Sequence, residues 1–133
     1  MVDKTLAGNG DLGSFTPEQL FAGESGVVRT SRGVFAAGLV FAQFEVVAKN
    51  ANGEFVKLTQ AGGGAIADNA AAIAMHAIDT SATGYNAAAD GPVYEEGVFN
   101  HEILTWPAAY DTLPERQAAF ARGNDKITVE RLL

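Results

Sequence analysis

The sequence contains no cysteine among its 133 residues, so neither a disulfide nor a thiolate metal centre is available to it. Cations are also scarce: nine lysines and arginines stand against sixteen aspartates and glutamates, a formal net charge of −7. A sheath of phosphates repels such a chain, and no local Lys/Arg cluster offsets the repulsion, so direct nucleic-acid binding is not expected. No apolar run approaches the roughly 20 residues that span a bilayer, which removes a membrane partner from the expectations. Met1-Val2-Asp3-Lys4 lacks the charged-then-apolar order of a secretion signal, which fits synthesis in the cytoplasm. There are only two histidines, His76 and His101, which leaves little for acid–base chemistry. What is abundant is alanine and glycine, residues that let backbones approach closely but carry no functional groups. The length suits one domain able to bury a core without staples.

Two regions are expected. Residues 1–16 hold Gly8, Gly10 and Gly13 with few apolar anchors and read as a flexible arm, because they bury too little surface to offset their ordering entropy. Residues 17–133 read as a mainly β body with one short C-terminal helix. Thr16-Pro17-Glu18-Gln19 suits the start of one helical turn through Leu20 and Phe21. Val27–Thr30 and Val34-Phe35 suit strands on either side of a turn at Ser31-Arg32-Gly33, followed by a small-residue corner at Ala36-Ala37-Gly38. Leu39–Lys49 is the strongest strand candidate. Asn50-Ala51-Asn52-Gly53 is a turn, since Asn and Gly tolerate positive φ, and Glu54–Leu58 returns from it. Gly62-Gly63-Gly64 is a loop or a close backbone approach. Ala70–Ile78 reads as a buried strand, residues 80–92 as a loop, and residues 93–104 as a strand pair or a bent strand interrupted at Gly97. Thr112-Leu113-Pro114-Glu115 matches a capping box, with a helix running to Arg122, a Gly123 C-cap, and Leu113 and Phe120 on one face. Lys126–Glu130 alternates as a last strand.

Chemical motifs fail on context. Gly8-Asn9-Gly10-Asp11-Leu12-Gly13 spells the dinucleotide fingerprint, but no strand precedes it, no convincing helix follows and the later acid is missing. Gly23-Glu24-Ser25-Gly26 lacks the spacing of a nucleophile elbow. His76 lies in an apolar stretch and reads as a core or interface histidine. His101 and Glu102, and likewise Glu95 and Glu96, are strand neighbours whose side chains diverge, so neither pair makes a metal or acid–base site. Trp106, followed by Pro107, reads as a plate pinning a loop to the core. No catalytic residue, metal ligand or cofactor site is assigned.

The positive signal lies in Phe35–Val47, which is apolar on both faces. Such a strand is either central in a sheet or covered by another subunit. Phe41, Phe44 and Val46 are therefore the candidate subunit interface. An arm attached to a self-associating body suits strand addition to a partner's sheet edge, and several arms on one oligomer raise avidity on the order of 100- to 10,000-fold.

Several stretches in series resemble the lambda-type head decoration proteins of tailed phages. They are Leu20-Phe21-Ala22-Gly23-Glu24; Ala37-Gly38-Leu39-Val40 leading to Val46-Val47-Ala48-Lys49; Asn52-Gly53 and Phe55-Val56-Lys57-Leu58; Ala72-Ile73-Ala74-Met75-His76-Ala77-Ile78-Asp79; and Tyr94 with Glu96-Gly97-Val98-Phe99-Asn100, running to Leu104-Thr105-Trp106-Pro107. The resemblance implies a β-clip body assembled as a homotrimer on the outer capsid of the virion, at three-fold and quasi-three-fold positions. It also implies an arm, Val2 to Phe15 here, that grips the major capsid protein and helps the shell resist internal DNA pressure. Leu6, Leu12 and Phe15 are the arm's candidate apolar anchors. The competing expectation is a small β-rich module binding a ligand or glycan on Trp106, Tyr94 and Tyr85. A hydrolase built on His101 lacks a visible base–nucleophile–orienter set.

Overall fold

The structure is a computed structural model that describes residues 20–22, 27–81 and 87–131. Its strands are β1 (Arg29–Phe35), β2 (Val40–Phe41), β3 (Val46–Lys49), β4 (Phe55–Lys57), β5 (Ala70–Ala74), β6 (Ile78–Asp79), β7 (Ala89–Asn100) and β8 (Ile127–Glu130), with one helix, α1 (Leu113–Gly123), before β8. Among the described residues the chain is mostly β with a single α-helix near its C-terminus, as the sequence led one to expect.

The main sheet runs β1-β4-β3-β5-β7-β8, and a further pairing of β1 with β7 closes the first five strands into a small barrel. β7 makes this possible by its length. Its first part pairs antiparallel with β1, from Phe35↔Ala89 to Arg29↔Glu96. From Gly97 onward it pairs in parallel with β8. The segment expected to be a strand pair or a bent strand is thus one strand that changes partners at Gly97, where φ is 150°. β2 and β6 form a separate two-stranded ribbon.

Two cores lie on opposite sides of β3 and β5. Phe35, Phe41, Val47, Phe55, Ala72, Ala74 and Val93 fill the barrel. Val46, Ala48, Ile73, Phe99, Tyr110, Phe120, Ile127 and Val129 pack on the outer face beneath α1. β3 is buried on both faces because it divides these cores, which accounts for the apolar run without a second subunit.

That run is not one strand. The expected Leu39–Lys49 strand is broken by a turn at Ala42–Phe44 that sends β2 into the ribbon and β3 into the barrel. Phe44 takes φ 59° there, a conformation that costs a bulky side chain of order 1–3 kcal/mol. Glu45 helps hold the turn. One carboxylate oxygen accepts from the Ala42 N–H at 2.8 Å, and the other accepts from Lys57 Nζ at 2.8 Å. A buried acid placed so close to a backbone N–H is invisible to hydrophobic patterning.

The turn expected at Ser31–Gly33 is also absent, and β1 runs straight through it. Gly33 and Gly91 face one another across β1 and β7. A Cβ on Gly33 would lie 2.4 Å from Phe55 Cε2, and one on Gly91 would lie 2.6 Å from Ile78 Cδ1. These glycines make room for core side chains rather than turning the chain. Residues 89–92, expected in a loop, belong to β7 for the same reason: β1 supplies their hydrogen bonds.

Other local expectations hold. Asn50 Oδ1 accepts from Asn52 N and Glu54 N at 2.9 Å each, closing the turn before β4. Thr112 Oγ1 accepts from Glu115 N at the head of α1, as the capping box requires. The C-cap is Asn124 rather than Gly123. Gly123 is the last helical residue and packs against β5. The outer edge of β8 is partly covered, because Gln117 Nε2 of α1 donates to Val129 O at 3.1 Å and so blunts an edge open to further pairing.

Candidate functional site

The N-terminal chain enters the described structure on β7. Asn100 N donates to Leu20 O at 2.7 Å, and Ala22 N donates to Val98 O at 3.2 Å. Phe21 forms an antiparallel bridge with Phe99. Leu20–Ala22 therefore lies on the edge of β7 opposite β8, as a short extended piece rather than the helical turn expected through Leu20 and Phe21. The residue that fixes it is Phe21. Its ring sits 5.2 Å from that of Phe99 and 5.9 Å, edge-on, from that of Tyr94. Val27 and Val28, just downstream, are exposed at 60% and 47%, so this end of the barrel presents apolar surface. Sequence reading missed the anchor because the partners of Phe21 lie more than 70 positions away.

Next to this point the loop between β7 and α1 is locked by His101, Trp106, Tyr110 and Arg116. Arg116 Nη1 lies 2.9 Å from His101 Nδ1. A guanidinium can only donate, so Nδ1 accepts and the imidazole is neutral with its proton on Nε2. Arg116 Nε donates to Tyr110 O at 2.8 Å, and Trp106 Nε1 donates to His101 O at 2.9 Å. The Arg116 guanidinium also lies over the Trp106 ring, which packs on Tyr110 and Phe120. Trp106 pins the loop to the core, as expected.

Burial, and after it the Arg116 charge, hold the His101 imidazole below its ordinary pKa, with Glu102 opposing. As pH falls through about 6.5 the unfolded chain takes up the proton first, so folding loses stability over that window. Protonation would also set a donor against the Arg116 guanidinium. His101→Gln keeps an acceptor and removes the titration. The urea midpoint of the parent chain is expected to fall more between pH 7.5 and 5.5 than that of the variant. Equal losses would place the pH sensitivity elsewhere.

This arrangement has no catalytic geometry. The accepting nitrogen of His101 is occupied by a cation, and its Nε2 is buried without a partner. His76, expected to be a core or interface histidine, is exposed in the bend after β5 and so is not in the core of this chain. Glu96 pairs with Arg29 at 3.2 Å. Among the described residues no group of three or more His, Asp or Glu side chains is placed to hold a metal, and no helix is long and apolar enough to cross a membrane.

The residues singled out from the sequence do not gather in one place. Phe41 lies in the barrel interior at 1% exposure, and Val46 lies in the core under α1 at 0%. They face different cores and present no surface in this chain; of that trio only Phe44 keeps solvent contact. Leu6, Leu12, Phe15, Ser25 and the dinucleotide-like glycines lie outside the described residues, as does Tyr85. Tyr94 packs on Phe21 and Phe99 while Trp106 packs on Tyr110 and Phe120, so these two rings form no shared platform for a sugar.

Residues 12–126 match the family model described as bacteriophage lambda head decoration protein D. The matched span takes in every strand of the barrel and α1. No curated protein matches the chain.

Proposed function

The chain belongs to the bacteriophage lambda head decoration protein D family, and from that premise we propose that it acts as a homotrimeric clamp on the outside of the expanded head. A decoration role on the virion capsid follows from the family, which is structural rather than enzymatic. The finer reading is that trimers sit at three-fold and quasi-three-fold positions. There, the arm of residues 1–16 grips the major capsid protein and the assembled shell resists the pressure of packaged DNA. The family match carries this reading. One structural feature supports it: Leu20–Ala22 is moored to β7 through Phe21.

The mechanism is linkage. A protein that binds only the expanded lattice stabilises that lattice by mass action, by about 2.7 kcal/mol per site when present at 100 times its Kd. Three tethers on one body raise the effective affinity of each.

Deleting residues 1–15 tests the tether. The truncated chain is expected to keep the melting temperature and oligomeric mass of the intact one, because Leu20–Ala22 and the whole barrel remain. It is expected to fail to co-sediment with undecorated expanded heads. If it coats heads as well as the intact chain, the arm is not the capsid contact.

A further inference from the structure

Four of the eight described cations are held by a carboxylate or by His101. Arg29 pairs with Glu96, Arg32 with Asp90 and Lys57 with Glu45, and Arg116 is held by His101 and the Tyr110 carbonyl. Lys49, Arg122, Lys126 and Arg131 form no close ion pair with a described carboxylate, and of these Lys49 and Arg122 lie together. Lys49 Nζ lies over the Phe55 ring, and Arg122 donates to Asp68 O and the Tyr110 hydroxyl while its charge also bears on the Asp68 carboxylate. Both line one depression of about 210 Å³, together with Asn69 and Ile66. Ile66 is 54% exposed. Asn69 and Arg122 also line a neighbouring cavity of about 390 Å³ that reaches Ala118 and Glu115. Glu115, Ala118 and Arg122 are spaced to share a face of α1. The two cavities share Asn69 and Arg122 and make one furrow along the helix, with an exposed isoleucine and two cations outside any close ion pair at its C-terminal end.

The other end of α1 has the opposite character. Glu102, Asp111 and Glu115 all act on the charge of Arg116 and outnumber it, and Glu102 and Asp111 are exposed. The helix between the two ends has 11 residues, about 16 Å at 1.5 Å each.

We propose that the basic end of the furrow, Lys49 and Arg122 with Ile66, receives the acidic surface around Glu102 and Asp111 of a second copy of this chain. The inference rests on the trimer reading above. Charge complementarity selects the occupant. A chain of net charge −7 repels its own copies, and a close contact forms most readily where cations outside any close ion pair meet that acidity. An isologous contact through the furrow would set cations against cations. A head-to-tail contact sets them against carboxylates, and head-to-tail contacts are the kind that close into a three-membered ring.

The test is light scattering of the intact chain with three single variants: Lys49→Glu, Ile66→Asp and, as control, Lys126→Glu, which makes the same charge change outside the furrow. All three positions are exposed, and a thermal melt verifies that each variant is folded. The parent chain and Lys126→Glu are expected to give a three-fold mass. Lys49→Glu and Ile66→Asp are expected to give a single-chain mass at the same concentration, and adding Glu102→Lys and Asp111→Lys to Lys49→Glu is expected to restore association. Raising the salt concentration is expected to weaken the parent trimer. A parent chain that stays monomeric overturns the trimer reading, and the inference falls with it. A trimeric parent with both furrow variants also trimeric overturns the furrow contact alone. Furrow variants that remain trimeric but no longer coat heads would assign the furrow to the capsid and equally overturn the proposal.

Discussion

Gly123→Ala is expected to destabilise the body by about 3 kcal/mol or more, at the upper end of overpacking costs. A Cβ at this position would lie 2.0 Å from the Ala70 carbonyl oxygen and within 3 Å of the Ala70 C and N atoms. The obstacle is backbone inside β5, so no rotamer change relieves it. Either the end of α1 lifts from the sheet or β5 shifts against β3 and β7. The intrinsic preference of a helix for alanine over glycine is about 1 kcal/mol, too little to offset such a clash. Lifting α1 would also disturb the Asn124 side chain, which donates to Ala71 O and Glu95 O at 2.9 Å each and ties the helix end to both strands. Urea unfolding of the variant checks this; a midpoint equal to or above that of the parent would show that the helix end yields freely.

The second large effect is expected from Phe99→Ala, a loss of about 3–5 kcal/mol as for other large-to-small aromatic deletions in cores. Phe99 is fully buried and its ring contacts those of both Phe21 and Tyr94. The deletion therefore opens a cavity and also loosens the point where the N-terminal chain is moored. Two readouts separate these consequences. Denaturation reports the cavity. Head binding, measured at a temperature where the variant is still folded, reports the mooring and is expected to weaken as well. Binding unchanged alongside a lowered melting temperature would mean that the main-chain bonds of Leu20 and Ala22 hold the chain in place without the ring.

What could be read from the sequence was local. The Asn50–Gly53 turn and the Thr112 cap were legible because each is completed by atoms within a few residues of one another. β8 was legible because alternation suits a half-buried strand, whereas the strand expected over Ala70–Ile78 from its β context ends at Ala74 and bends before β6. What was misread depended on distant partners. The glycines at 33 and 123 look like punctuation in one dimension, yet each is small because something far along the chain presses on it: Phe55 on the first, the Ala70 backbone on the second. The Phe35–Val47 run suited either a strand central in a sheet or one covered by another subunit, and β3 takes the first course because it divides two cores. The turn inside that run is held by Glu45, whose partner Lys57 lies on another strand. His76 suited a core or an interface because its neighbours in sequence are apolar, and the bend after β5 takes it out of the core. The furrow on α1 left no trace in the sequence, since Lys49, Ile66 and Arg122 are brought together only by the fold.

The pairing of β1 with β7 joins residues 29–35 to residues 89–96, and this fixes an order of events on the ribosome. The first barrel strand is synthesised long before the strand that closes against it, so for much of translation β1 has a bare edge. Closure must await roughly two-thirds of the chain and meets the full entropy of joining such distant segments. Topologies dominated by distant pairings fold slowly, in milliseconds to seconds. A nascent chain therefore passes through a window in which its half-built sheet can pair with the wrong neighbour, and the net charge of −7 opposes that mispairing.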